Sequence, residues 1–310
     1  MRATLILAVL VVAALAAGAA RGVTPGTNGS IYFENFSEDS ESSEIFVIEP
    51  NGTGLRALTN TPDSDETEPA VSPNGNQIAF LSNVGGAGFH LHLINKDGSG
   101  EHALAGGGSE HSSPTWSPNG SQIAFGRCVA IDGETGDCTS AQIAVIGSNN
   151  QNLRVVTPRV TGAIDSRPTW SPNGKKIVFQ RTNADGIVSL WTVNATGTSV
   201  DRILNDGSDV DRNPDYTPNG QRLIFFSDVG DSEGIWQVNP NGHGKKRLFQ
   251  ESPDPDDPTV GGGAQNPAVS PNGKQIVYTA GGDLWTASIN GKNRTQLTKD
   301  GGDEADWARG

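Results

Sequence analysis

The chain has 310 residues, a net charge of −13, 40 glycines, 18 prolines and 6% aromatic residues. So acidic a surface repels phosphate, which excludes nucleic acid and anionic membrane as partners. The Gly and Pro content suits many short strands joined by turns, and no stretch beyond residue 25 sustains a helical period.

The first element, residues 1–20, reads MRATLILAVLVVAALAAGAA: one arginine, an apolar core and a small-residue end. This is the pattern of a secretory signal peptide cleaved near Ala19 or Ala20. A retained N-terminal anchor is the rival reading, but the apolar core is short for a spanning helix. Residues 21–310 are expected to form a single domain with no membrane-spanning segment, periplasmic or secreted.

Strands follow in a repeating order. A degenerate first copy, GTNGSIYFE, contains Asn28. The string SPNG or TPNG then recurs with Asn at 74, 119, 173, 219 and 272. PAV, PTW, PTW, PDY and PAV precede it, and the alternating runs QIAFLS, QIAFGR, KIVFQR, RLIFFS and QIVYTA follow. A second element recurs between these strings, from IFVIEPNGTGLRALT through IAVIGSNNQNLRVV to LWTASINGKNRTQLT. It reads as strand, polar turn, strand. Asn-Gly accepts positive φ and is expected to close a tight hairpin, with the preceding Pro at a strand edge. Each repeat therefore holds four strands, and Trp116 and Trp170 are expected to pack between neighbouring sheets.

Four-stranded units at a period near 45 residues indicate an all-β fold, a six-bladed β-propeller. The chain starts at a second strand and ends in GGDEADWARG, where Trp307 matches Trp116 and Trp170 of first strands. The C-terminal strand is thus expected to complete the first blade and close the ring. Cys128 and Cys138 are the two cysteines. In an exported chain they are expected to form a disulfide, stabilising by roughly 3 kcal/mol through a loop of about ten residues.

The unit (D/E/H)xxPxWSPNGxxIxF…IxVxxxxG…LT resembles the WD40-like (PD40) propeller repeat of the TolB family across residues 28–309. Family members usually carry Asp-Gly in the turn, where this chain has Asn-Gly. The resemblance implies a periplasmic protein of the Tol-Pal envelope system that works by protein–protein contacts. The family's namesake also carries an N-terminal α/β domain, for which this chain leaves no room.

Catalytic strings are absent: no Gly-x-Ser-x-Gly elbow, no His-Glu-x-x-His, no P-loop. The pair His90 and His92 reads as packing, because His92 holds the slot of Trp191, Trp236 and Trp285 in other repeats. The acids are distributed unevenly. Only Glu49, Asp97, Glu101, Asp201 and Asp215 of the 35 are assigned to the Asn-Gly turn face or its adjoining strand ends, and the other 30 to the opposite loop face or nearby strand ends. Runs such as 34–44, 63–68 and 251–258 carry them. Clustered carboxylates beside Asn, Ser and carbonyl oxygens suit Ca²⁺ above a transition metal. Three residues before the repeat proline stand Glu66, His111, Asp165 and Asp211, with Ala264 and Gly302 in the same slot elsewhere. One reading has each side chain capping its own loop or bonding to a neighbouring blade. The other places them at the mouth of a central channel, holding a cation or a small polar ligand.

The function these residues favour is a non-catalytic binding module whose acidic loop face meets an envelope or extracellular protein partner. The alternative is a carbohydrate-active, lyase-like enzyme at the channel mouth, with His111, Glu66 and Asp165 as its one available constellation.

Overall fold

The xIxF runs become strands because β-branched and aromatic side chains fit a pleated surface packed on both faces. Phe80, Phe125, Phe179, Phe225 and Tyr278 are all fully buried. The computed structural model describes residues 26–37, 41–86, 88–104, 110–204, 210–228, 233–250 and 263–310. The leader expected at 1–20 and the acid-rich run 251–258 lie outside the described residues. Every regular element among the described residues is a strand.

Six four-stranded units follow one another. The first contains β1 (Asn28–Ser37), β2 (Ser42–Ile48) and β3 (Arg56–Ala57). The second contains β4 (Glu66–Val71), β5 (Gln77–Ser82), β6 (His90–Asn95) and β7 (His102–Ala103). The third contains β8 (His111–Trp116), β9 (Gln122–Ile131), β10 (Cys138–Gly147) and β11 (Arg154–Val155). The fourth contains β12 (Ile164–Trp170), β13 (Lys176–Thr182), β14 (Val188–Asn194) and β15 (Asp201–Arg202). The fifth contains β16 (Val210–Tyr216), β17 (Leu223–Asp228), β18 (Gly234–Val238) and β19 (Lys246–Phe249). The sixth contains β20 (Gln265–Val269), β21 (Gln275–Ala280), β22 (Asp283–Ser288) and β23 (Thr295–Gln296). The last strand, β24 (Asp303–Arg309), returns to the first unit and pairs antiparallel with β1, Ile31 opposite Trp307. One parallel bridge, Ala141 to Ile164, joins the third and fourth units into an eight-stranded sheet.

The Asn-Gly strings close tight hairpins, as expected. Positive φ falls on the glycine alone, +68 or +69° at Gly75, Gly120, Gly174, Gly220 and Gly273. Each of these N–H groups donates to the Ser or Thr carbonyl three residues earlier at 2.8 Å, as in Gly75 to Ser72 and Gly220 to Thr217. Proline sits where its fixed φ initiates the turn. The Ser or Thr hydroxyl then accepts the N–H five residues on, as in Gln77 to Ser72 at 2.9 Å. All four letters of SPNG therefore act, which is why the whole string repeats.

The apolar core lies between units. Six clusters occur among the described residues, and each spans two neighbours: first and second, second and third, and so on to sixth and first. Tryptophans sit at these seams as expected. Trp116 Nε1 donates to the Ala70 carbonyl at 3.0 Å, and Trp307 Nε1 to that of Ala268 at 3.2 Å. Cys128 and Cys138 form a disulfide between β9 and β10, with Cα atoms 5.9 Å apart.

Trp307, 5% exposed, joins the sixth unit to the first. Trp307→Ala is expected to cost about 3–5 kcal/mol, read as a lower denaturant midpoint. An unchanged midpoint would show that this seam contributes nothing to stability.

Candidate functional site

Six residues share a backbone conformation that L-residues avoid. Glu68, Ser113, Arg167, Asn213, Asn266 and Glu304 have φ between +48 and +54°. Each stands at the register break in the first strand of its unit. Five of them precede the repeat proline, and Glu304 precedes Ala305. Such a conformation costs of order 1–3 kcal/mol per residue, yet it occurs six times at one level of the molecule. The bulge re-aims the side chains. All six line one cavity of about 140 Å³.

The side chains of this ring are tied to one another. Glu68 Oε2 accepts the Ser113 N–H at 2.5 Å. Arg167 reaches from the fourth unit to two acids, with Nη2 at 3.1 Å from Glu68 Oε1 and Nη1 on Glu304 Oε2. The Asn213 amide donates to Asn266 Oδ1, and Asn266 Nδ2 donates to Asp303 Oδ1 at 2.7 Å. Behind the ring, Glu34 Oε2 accepts the Glu68 N–H at 2.9 Å. Burial, with the charges of Glu304, Asp303 and Glu68, pushes the Glu34 carboxyl up to about 8. Burial raises Glu304 too, against the opposing pull of Arg167. Burial works against the charge on Arg167, but Glu304 and Glu68 hold its proton affinity above the ordinary value.

Deeper in, Thr115, Thr169, Asp215 and Asp306 line both this cavity and a second of about 100 Å³, walled by Trp116, Trp170 and Trp307. Asp215 accepts the Val269 N–H at 2.8 Å and the Thr169 hydroxyl at 3.1 Å. Asp306 accepts the Val71 N–H at 2.7 Å and the Trp307 N–H at 2.8 Å. Burial, aided by the charge on Asp306, raises Asp215 to about 7. Burial raises Asp306 to about 6. Asp215, assigned from the sequence to the turn face or its adjoining strand ends, is part-buried and lines both cavities.

The four residues singled out from the sequence lie in the seams between units. Glu66 accepts hydroxyls from Ser64 at 2.9 Å and Ser82 at 3.0 Å. Asp165 pairs with Arg181 at 2.5 and 2.8 Å. Asp211 binds the Ser227 hydroxyl at 2.7 Å and Lys245 Nζ at 3.0 Å. His111 Nδ1 accepts the Leu91 N–H at 3.0 Å, its ring edge-on to Phe125 and His90. The structure does not gather them into one cluster. His111 alone of the four lines a cavity with Glu68 and Arg167. His92 packs on Phe80 and bonds Glu101 at 3.0 Å. The sequence signal for the ring residues is a polar residue directly before each of five repeat prolines, rather than the slot three residues before them.

Comparison with known proteins bears on the fold. A sequence model of the TolB beta propeller domain (PD40) matches residues 33–210. Over 71 residues the chain is 38% identical to Tol-Pal system protein TolB 1 of Novosphingobium aromaticivorans, covering 23% of this chain and 15% of that protein. TolB from Acinetobacter baumannii superposes with a TM-score of 0.70 at 19% identity, over 90% of this chain and 66% of that one. A putative TolB from Agrobacterium tumefaciens gives 0.66 at 19% identity, over 90% and 92%. At such identities the solved structures establish a β-propeller fold and no activity.

The raised carboxyls fix a sign. Asp215 holds its proton more tightly folded than unfolded, where a carboxyl titrates near 4. Its contribution therefore favours folding at low pH and is lost as pH climbs from about 4 to about 7. Asp215→Asn can still accept from Val269 and donate to Thr169. Its thermal midpoint is expected to fall less than the parent's across that range, and parallel pH profiles would remove Asp215 as the source.

Proposed function

The chain belongs to the TolB β-propeller domain family, and from that premise we propose that its six units are the blades of one closed propeller acting as an exported, non-catalytic binding module. Closure is supported by the unbroken cycle of inter-unit clusters and by β24 completing the first unit. In this reading residues 1–20 are the leader and residues 21–310 the single domain. No helix among the described residues is long and apolar enough to cross a membrane.

One observation carries the binding role: the axial ring already holds a guanidinium, Arg167, between the carboxylates of Glu68 and Glu304. Acids outnumber bases there, since Glu34 and Asp303 stand behind the ring. The partner chemistry that fits is a basic protein segment approaching the loop face. Ca²⁺ suits the oxygen donors, but at the ring it would have to displace Arg167. The enzymatic alternative loses support at its base. His111 Nδ1 is engaged by the Leu91 N–H, and Glu66 and Asp165 point into separate seams.

A lysine-rich peptide serves as the probe, with affinity measured by calorimetry at low and high salt. Neutralising Asp63 and the four acids of 251–258 is expected to weaken binding about tenfold, near 1.4 kcal/mol. Neutralising Glu49, Asp97 and Asp201 on the turn face should leave affinity within about twofold, because screened charges on the far side contribute little. Equal losses from both sets would overturn a defined docking face.

A further inference from the structure

Four seams bury a polar side chain at the start of a unit's first strand, and three of these have an evident partner. Asp165 faces Arg181, Asp211 faces Lys245, and His111 Nδ1 accepts the Leu91 N–H. The seam between the first and second units differs. There Glu66 on β4, with no exposed surface, meets Glu44 on β2, 1% exposed.

Each carboxyl is half satisfied. Glu44 Oε1 accepts the Ser42 hydroxyl at 3.1 Å and the Thr61 N–H at 2.8 Å. Glu66 Oε1 accepts two serine hydroxyls, from Ser64 and Ser82. The second oxygen of each, Oε2, is buried with no donor. The two carboxyls are within hydrogen-bonding reach of each other. Two ionised carboxylates cannot be held in contact in so dry a place, because desolvation and repulsion act in the same direction. A single hydrogen on one Oε2 makes it a donor to the other and satisfies both orphans at once.

We propose that Glu44 and Glu66 share one proton across the seam between the first and second units, forming a pH-sensitive latch. The charged groups around it do not offer a substitute. Asp65, beside Glu66 in the chain, accepts the Ser43 N–H and the Asn83 amide. Glu34 on β1 and Glu68 on β4 are acids as well. No described basic side chain pairs with either glutamate; β5 supplies only Ser82. Burial and the neighbouring Glu44 raise Glu66 to about 8. Against an unfolded value near 4, the proton is held more tightly by the folded chain. The latch therefore contributes fully in acid, weakens as pH rises from about 4, and is lost above about 8.

The test compares thermal midpoints at pH 5 and pH 9 for the parent, Glu66→Gln and Glu44→Gln. A glutamine amide donates to the facing carboxylate with no proton to lose. Its midpoint is expected to drop less than the parent's over this range, by about 3 °C or more. Infrared difference spectra, parent minus variant, should show a protonated carboxyl band at pH 7. Either glutamine variant suffices should the other not fold. Identical pH profiles, or no protonated carboxyl in the difference spectrum, would overturn the latch. A midpoint at pH 7 that EDTA lowers in the parent alone would put a cation in the proton's place and overturn it equally.

Discussion

Among the described residues, no unit has a core cluster of its own. Phe80 packs with Ile45 and Val47 of the preceding unit, Phe125 with Leu91 and Leu93 of its predecessor, and Phe179 with Ile143 and Val145. Burying one such ring is worth about 1.5–3 kcal/mol, but a single four-stranded sheet exposes both faces and gains none of it alone. Stability is therefore a property of neighbours. The first unit feels this most, because its strands come from both ends of the described chain. Ile31 and Phe33 of β1 and Ala305 and Trp307 of β24 fill one cluster with Val277 and Leu284 of the sixth unit. The recurring Ser/Thr-Pro-Asn-Gly string serves this arrangement by setting the hairpin, and at Trp116 and Trp170 an indole before it bridges the seam.

Packing between units leaves the first strands facing an axis where six copies of one position converge. Regular pleating would bring identical side-chain directions from every copy. The left-handed residue before the proline breaks that regularity. A strand bulge stores strain and redirects a side chain, and here it aims Glu68, Arg167 and Glu304 at the same space. The repeats are structurally alike but chemically different at this one level, with two acids, one arginine, two asparagines and a serine. Binding specificity in a repeat fold arises from such positions, where geometry is common and chemistry is not.

The repeat and its all-β units were legible in the sequence because their determinants are local. Pro at the second turn position, Gly at the fourth and a β-branched run after them leave little freedom. The disulfide and the seam tryptophans were legible for the same reason. The axial ring was not. Pattern reading assumes strict alternation along a strand and an extended residue before proline, and both assumptions fail at Glu68, Ser113, Arg167, Asn213 and Asn266. The register break at these residues separates the axis from Glu66, His111, Asp165 and Asp211 two positions upstream.

Those upstream positions show how one slot can meet the same demand by different chemistry. A buried polar atom must find a partner, and Arg181, Lys245 and the Leu91 N–H each provide one from a different place in the chain. Partners drawn from varied positions leave no fixed spacing, so the pairing cannot be read from the repeat. Where no such side chain arrives, as between Glu44 and Glu66, the demand remains and a hydrogen ion can meet it. Glu66 stands two residues before Glu68 on the same strand. The protonation of a seam and the geometry of the axial ring are thus joined by a single turnless stretch of backbone.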